Sequence, residues 1–415
     1  MGECGVRARW RPRRVSAMNT PARPVIGITM DLVEVASGAL TRLRAECGLA
    51  YAACVSGSGG VPLFLPPLVE EIPRQLSLVD GVIFTGGADP RMEAFGEAKE
   101  GWLKGFLDLP NGIPSHDTFG RVLQALDPEA FEAAFRRFMT AFAKANGIKL
   151  TGVLALDGKA VRGAYERGRS STPLHMVNVF ATEARMALAS RKAPGRNEAK
   201  GALDVLCMLS LEGCIVTGDA LHCNRPFAKT VLRRGGHYVL ALKENQGKLF
   251  EAVERRFARA GQRSTVKRVE PSTHDRHESR RATVIRDTSV GAANRFPGVA
   301  AVARITSRRR QYGKRADKPV VRYYLLSKYV PAKRVLQIVR HHWAIENQLH
   351  WVLDVVFDED GARTRKDNAP ENLAILRRFA INIIRSHPDP VSMRQKVKRA
   401  GWDDPFLLDL ISHMR

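Results

Sequence analysis

The first hundred residues alternate short apolar runs with a longer stretch of mixed polarity. PVIGITM (24–30), VPLFLPP (61–67) and DGVIFTGG (80–87) have the length and apolar density of buried strands. GALTRLRAECGLAYAACVSG (38–57) reads as a helix closed by glycine. That alternation predicts a parallel α/β arrangement. GSGG at 57–60 lacks the third glycine of a dinucleotide fingerprint and opens no helix, so it reads as a turn. From Met92 the pattern becomes helical through Ala145, with a stop at LPNGIPS and a restart capped by Ser115 or Asp117. Strand patterns then return in KLTGVLALDGKAVRG, read as ending at Asp157, GCIVTGDALHCN, read as ending at Asp219, and GGHYVLALKENQ. Residues 263–330 are strand-rich and strongly basic (STVKRVE, SRRATVIRD, GVAAVARITSRRRQYGKR, PVVRYYLLSK). RHHWAIENQLHW (340–351) follows at helical spacing, which places His342, Glu346 and His350 on one face. Asn368 reads as the cap of a last long helix, with Pro370 and Glu371 in its first turn.

Composition adds a partner class. The 415 residues suit two or three domains, and 44% hydrophobic content is that of a globular chain. Lys and Arg number 66 against 42 Asp and Glu, a formal charge of +24 that favours a polyanion such as nucleic acid, although an Arg-rich proteome makes many proteins basic. The six cysteines form no close pair, which fits a reducing cytoplasm. The N-terminus is Arg-rich without the apolar centre of a signal peptide, and no run reaches the roughly 18 apolar residues of a membrane span, so a soluble protein is expected. Met18 is an alternative start that would make the first 17 residues a leader.

The runs PVIGIT, GGVPLFLPP and VDGVIFTGGADP resemble the start of class I glutamine amidotransferases of the gamma-glutamyl-gamma-aminobutyrate hydrolase type. The resemblance stops near Pro90. No nucleophile elbow of the GxCxG kind follows, and Cys47 and Cys54 precede it, so no catalytic residue carries over. Residues 24–91 are expected to be a truncated, hydrolytically dead and marginally stable fragment of a parallel, flavodoxin-like α/β fold.

The candidate chemistry lies downstream. Zinc is a poor reading of the histidine run: His342 and His350 are eight residues apart, roughly 12 Å along a helix, whereas ligands of one zinc lie about 2 Å from it. Asp157-Gly158 alone suits a turn and Asp219 alone suits a helix cap. Two aspartates at the carboxyl ends of buried strands are also where open α/β sheets place their chemistry. With Glu346 they make three hard oxygen donors, a set suited to magnesium rather than zinc.

LPNGIPSHDTFGRV, LDGKAVRG, VTGDALHCN, YVLALKENQ, HESRRATV, HHWAIENQLHWVLDVVFDEDGARTR and ENLAILRRFAINIIR together resemble, in order, the H-repeat-associated transposases of the DDE superfamily, over about 93–390. The resemblance implies a ribonuclease-H-like α/β core with a β-rich insert (about 263–330) between the second aspartate and the glutamate. It implies a metal-binding catalytic triad on Asp157, Asp219 and Glu346, served by two Mg²⁺ or Mn²⁺ ions. It also implies DNA partners (transposon ends and target), a homo-oligomer in the synaptic complex, no membrane and a cytoplasmic location. The expected organisation is a basic leader (1–23), the amidotransferase-like fragment (24–91), a helical segment (92–148), the DDE domain (149–390) and a tail (391–415).

Lesser roles follow from position. Lys159, Arg162, Lys243 and Asn245 lie just past presumed strand ends and read as phosphate contacts or solvated turns. The runs RRFARAGQRSTVKR and SRRRQYGKR, the latter with Arg308, Arg309 and Arg310, read as DNA-facing or as solvated surface. Trp343 and Trp351 are expected to pack the glutamate helix, and the acidic 358–360 turn either supports the site or is solvated. Two departures stand out. His342 and Leu353 occupy positions where many relatives in the wider superfamily carry an arginine and a lysine. The helical region that precedes FGEAKEGWL in the family is replaced by the amidotransferase-like fragment, as an element landing inside a hydrolase gene would produce. An active transposase, an inactive chimeric remnant that binds DNA, and an amidotransferase are the alternatives.

Overall fold

The computed structural model describes residues 23–412 apart from stretches at 66–73, 84–91, 166–172, 260–262, 270–275 and 312–316 and isolated positions before residue 77. It divides into two units, residues 1–98 and 99–415. In the first, β1 (Val25–Thr29) is followed by β2 (Asp31–Ser37), β3 (Leu40–Glu46), α1 (Leu49–Gly57), β4 (Val61–Leu65), β5 (Gly81–Ile83) and α2 (Met92–Ala98). β1 lies between β4 and β5, parallel to both, as the apolar runs predict. Ile28, Val55 and Leu65 are buried, and the Asp80 carboxylate accepts the Val25 N–H at 2.7 Å. The helix expected over 38–57 is half as long. Residues 40–46 instead pair antiparallel with β2, from Asp31 opposite Glu46 to Ser37 opposite Leu40. Leu43 and Ala45 alternate with Arg42 and Arg44, so this stretch fits a period of two as well as one of 3.6, and the strand partner decides. The cysteine Cys47 of the expected helix lies outside the described residues.

In the second unit, α3 (Glu100–Leu103), α4 (His116–Ala125) and α5 (Pro128–Ala145) come first. Ser115 caps α4, accepting the Thr118 N–H, and Asp127 caps α5 with Pro128 in the first turn. Then follow β6 (Gly152–Tyr165), β7 (Pro173–Ala181), β8 (Met186–Lys192), α6 (Glu198–Cys207), β9 (Cys214–Gly218), α7 (Arg225–Arg233), β10 (His237–Leu242), α8 (Gly247–Ala258), β11 (Ser264–Val269), β12 (Arg276–Arg286), α9 (Ser289–Ala293), β13 (Ala301–Gln311) and β14 (Val320–Leu326). The chain ends in α10 (Ala332–His342), a single π-helical turn (Glu346–His350), α11 (Trp351–Val355), α12 (Ala369–Ser386), α13 (Met393–Trp402) and α14 (Asp404–Ser412).

These strands form one nine-stranded sheet in the order β11-β12-β13-β14-β10-β9-β6-β7-β8. β6, β9 and β10 run parallel and every other pairing is antiparallel. The basic strands of 263–330 continue this sheet, with β14 hydrogen-bonded to β10. Asp157 does not end its strand: β6 runs on to Tyr165 with Asp157 opposite Asn178 of β7. Its parallel partner stops earlier, because the β6–β9 ladder runs only from Gly152 opposite Cys214 to Ala155 opposite Thr217. Asp157 therefore lies where one neighbour has left the sheet and the other has not.

Around β6, β7, β9 and β10 both faces of the sheet are buried, which is why those strands read as near-continuous apolar runs. Leu154 and Leu156 of β6 join the core beneath α5, α6, α7 and α8, with Phe135, Val205, Phe227 and Val253. Val153 and Ala155, pointing the other way, meet α10 and the run after it. Ile345, Leu349 and Leu353 are fully buried with Ala155, Phe180 and Ala187, and burial of each such side chain contributes about 1.5–3 kcal/mol. Leu353, where the wider superfamily has lysine, is thus a core residue of the glutamate-bearing run. Leu353→Ala is expected to destabilise the protein by about 2–5 kcal/mol, and Leu353→Lys by more, because an ammonium would be left among apolar groups. Guanidinium unfolding midpoints check this; a Leu353→Lys midpoint equal to the parent's contradicts the packing.

Candidate functional site

The two aspartates come from neighbouring strands and the glutamate from across the chain. Asp157 projects from the middle of β6. Asp219 follows β9 directly and caps a 3-10 turn (Ala220–His222), its Oδ1 accepting the Leu221 N–H at 2.9 Å. Asn245 buttresses that turn by donating its side-chain N–H to the Ala220 carbonyl at 2.9 Å. Glu346 opens the π-helical turn, in which the Trp351 N–H reaches back five residues to the Glu346 carbonyl. Such one-turn bulges recur at functional sites. Of the three residues expected on one face, Glu346 is exposed, His342 is partly buried and His350 is buried.

Asp157 is the electrostatic centre. Burial first, then the negative charges of Glu198 and Glu346 and more weakly Asp219, push its carboxyl up to about 7, although the Gly158 N–H donated to Oδ1 at 3.0 Å opposes them. Asp219 and Glu346, the other two acids named from the sequence, both act on Asp157 here, and Glu198 joins them. Glu198 is the first residue of α6, and its carboxylate stands 2.8 Å from His175 Nε2 and 3.0 Å from His222 Nε2. Burial alone would raise it, but the two imidazoles outweigh that and hold it at about 2. Nothing in the run GRNEAK marked it; only Asn197, which caps α6, was readable there.

His342 and His350 of the run at 340–351 are neutral supports. His342 Nδ1 lies 3.1 Å from Thr217 Oγ1, and burial lowers its imidazole to about 4 against the pull of Asp219. His350 lies 3.4 Å from the Asn178 amide and 3.7 Å from Asp157, and burial, with the charges of Arg378 and Lys159, lowers it to about 3.

A buried polar network backs the site. Arg378 of α12, fully buried, donates to Asn178 Oδ1 at 2.6 Å, to the Ala374 carbonyl and to fully buried Glu359 at 2.7 Å. The turn at 358–360 is therefore structural rather than merely solvated. Lys159 joins it: its ammonium is buried, 2.6 Å from Asp354, 3.1 Å from Asp360 and 3.8 Å from Glu359. This corrects the reading of Lys159 as a phosphate contact, since its charge is neutralised inside the fold. Arg162 is exposed with its guanidinium 3.3 Å from Asp360, and Lys243 is exposed past β10. Arg308, Arg309 and Arg310 are exposed on β13, and Arg309 lies 3.5 Å from Glu278. The tryptophans do not pack the helix: Trp343 is 51% and Trp351 56% exposed, because Ile345, Leu349, Val352 and Leu353 fill the sheet-facing side.

Among the described residues, no three His, Cys, Asp or Glu side chains stand close enough to grip one metal ion. No described helix is long and apolar enough to cross a membrane.

With this arrangement in view, residues 148–383, more than half of the chain, match the Transposase DDE domain family. Residues 81–139 match the DDE_Tnp_1-associated family and residues 24–103 match Peptidase C26. The chain belongs to the DDE transposase family. It is 33% identical to "Putative transposase YncI" of Escherichia coli O157:H7 over 79% of this chain and 85% of that one. It is 30% identical to "H repeat-associated putative transposase YhhI" of Escherichia coli K12, over 77% and 86% of the two chains. Among solved structures, a piggyBac transposase synaptic complex with hairpin DNA aligns over 73% of this chain and 64% of that chain, at 14% identity and a TM-score of 0.37.

The charge crowding on Asp157 has a pH signature. A carboxyl raised in the folded state favours folding most below its unfolded value near 3.8, and that contribution is lost as pH rises through about 7. Asp157→Asn removes the effect, while the lowered His342 and His350, common to both proteins, cancel in the comparison. In chelator, Asp157→Asn is expected to gain on the parent by about 2–4 kcal/mol between pH 4 and pH 7.5. Guanidinium unfolding at both pH values measures it; a stability difference that stays constant with pH rules out the crowding.

Proposed function

We propose that this chain is a metal-dependent DNA transposase that cuts the ends of a mobile element and joins them to target DNA, with Asp157, Asp219 and Glu346 as its acidic set. The carrying observation is that the negative charges of Asp219 and Glu346 converge on the Asp157 carboxyl from a neighbouring strand and a distant helix. A mixed sheet with both aspartates on adjacent parallel strands supports a ribonuclease-H-like reading of the core.

The acids fit Mg²⁺ or Mn²⁺ by donor chemistry: all are hard oxygens, and a divalent cation relieves the like-charge crowding on Asp157. When bound, one or two such ions stabilise charge on the phosphate and activate an attacking water or 3′ hydroxyl. Asp157, Asp219 and Glu346 would hold them, drawn closer than they stand here. The chain's own groups do the rest. The Leu221 N–H and Asn245 orient the Asp219 turn, His350 stays neutral beside Asp157, and exposed Arg162, Lys243, Arg308 and Arg310 offer phosphate contacts. The partners in this reading are transposon-end and target DNA and a second copy of the chain in the synaptic complex, in the cytoplasm.

Asp219→Asn keeps the cap but removes the charge. It is expected to lower Mg²⁺-dependent cleavage of the element's own inverted ends at least a hundredfold while retaining DNA binding. Cleavage at the parent rate sinks the assignment, and a parent protein that binds but never cuts favours the inactive remnant. On β13, Arg308 and Arg310 share one face while Arg309 faces the other way toward Glu278. Arg308→Ala with Arg310→Ala is expected to reduce the slope of log binding against log salt by about 2. An unchanged slope in filter binding removes this edge from the DNA surface.

A further inference from the structure

We propose that Glu198 is a positioning residue of the acidic site, bridging through His175 and His222 the two segments that carry Asp157 and Asp219. The inference rests on the acidic set being the reactive centre. The β6–β9 ladder ends at Ala155 opposite Thr217, two residues before each aspartate. Beyond that point no ladder hydrogen bond between these two strands sets how far apart the aspartates lie.

Glu198 occupies the gap. Its helix is anchored by the Asn197 cap, whose Oδ1 accepts the Lys200 N–H at 3.0 Å, and by packing of α6 on β7 and β8. His175 belongs to β7, where it lies opposite Ala160 of β6, so it moves with the Asp157 strand. His222 closes the turn that Asp219 caps, and its ring is fully buried against Phe227. One carboxylate at 2.8 Å and 3.0 Å from these two imidazoles thus spans both segments. Neither buried ring nitrogen of His222 makes a well-aligned hydrogen bond among the described residues, and the Glu198 carboxylate at 3.0 Å stands nearer its Nε2 than Asp219 does at 3.9 Å. The contact also explains Gly158. A methyl group there would overlap the Glu198 carboxylate and His175 Nε2, so the position after Asp157 is kept bare for the bridge to close over the strand.

The test compares the full-length parent with Glu198→Gln, Gly158→Ala and Asp219→Asn, keeping only variants whose thermal unfolding overlays the parent's. Mn²⁺ binding by electron paramagnetic resonance and cleavage of end DNA are both measured. Glu198→Gln keeps the shape but removes the charge that faces both imidazoles, and Gly158→Ala pushes the bridge away from the strand. Each is expected to weaken Mn²⁺ binding and cleavage about tenfold with DNA retention unchanged. If Asp219→Asn is inactive while both other variants bind Mn²⁺ as the parent does, the bridge is overturned and the acidic set stands, whether or not cleavage falls. If Asp219→Asn cuts like the parent, the reading beneath it fails first.

Discussion

The ion pair between Arg378 and Glu359 is the constraint on which the rest of the site depends. Both side chains are fully excluded from solvent, 2.7 Å apart. Taking two charges out of water costs several kcal/mol each, so such a pair persists only where further hydrogen bonds complete it. Here the guanidinium also reaches Asn178 on β7 and the Ala374 carbonyl on its own helix, and Lys159 brings a second cation within 3.8 Å of the Glu359 carboxylate. Completion is imperfect: Arg378 Nη2 and Glu359 Oε2 have no hydrogen-bond partner among the described residues. An arrangement that costs this much and is left partly unsatisfied contributes placement more than stability. It fixes α12, the turn at 358–360 and strands β6 and β7 at one point, immediately behind Asp157.

From that point the charge pattern follows. The cations near Asp157 are turned away from it: Arg378 faces Glu359 and Lys159 faces Asp354 and Asp360. The histidine closest to it, His350, is held neutral by burial. Asp157 is left facing acids, with Glu198, Glu346 and Asp219 all opposing its ionisation. A fold that surrounds a buried carboxyl with like charges while pairing off its cations concentrates negative potential in one place. In the function proposed above, a divalent cation would meet that potential, and the exposed arginines of β13 would attract the polyanion instead.

What was legible in the sequence was whatever depends on local period. The apolar runs at 25–29, 61–65 and 81–83 and the basic strands of 264–326 formed where the pattern put them. Features that depend on a partner far away were not legible. Residues 40–46 carry both periods, and β2 selected the strand. Asp157 looked like a strand end because Asp-Gly favours turns, but the antiparallel ladder with β7 carries the chain through it. Lys159 looked like a surface cation until Asp354 and Asp360 arrived from two hundred residues later. The π-helical turn at 346–350 has no composition of its own. His350 is buried beside Asp157 and Glu346 is exposed at the start of the turn, yet its charge still acts on the Asp157 carboxyl. Glu198 escaped notice because its meaning lies in two histidines, 23 and 24 residues to either side.

The two units differ in how their sheets are closed. A sheet with parallel strands needs both faces covered. In residues 99–415 the central strands of the nine-stranded sheet are covered on both faces by helices of the same unit: α5 to α8 on one side, α10, the π-helical turn and α11 on the other, with α12 giving Ile375 to the first core and Ile381 to the second. The described core around Asp157 is built from residues of the second unit. The first unit has a three-stranded parallel sheet and a short apolar helix to close it, with Ile28, Val55 and Leu65 as the buried apolar residues described there.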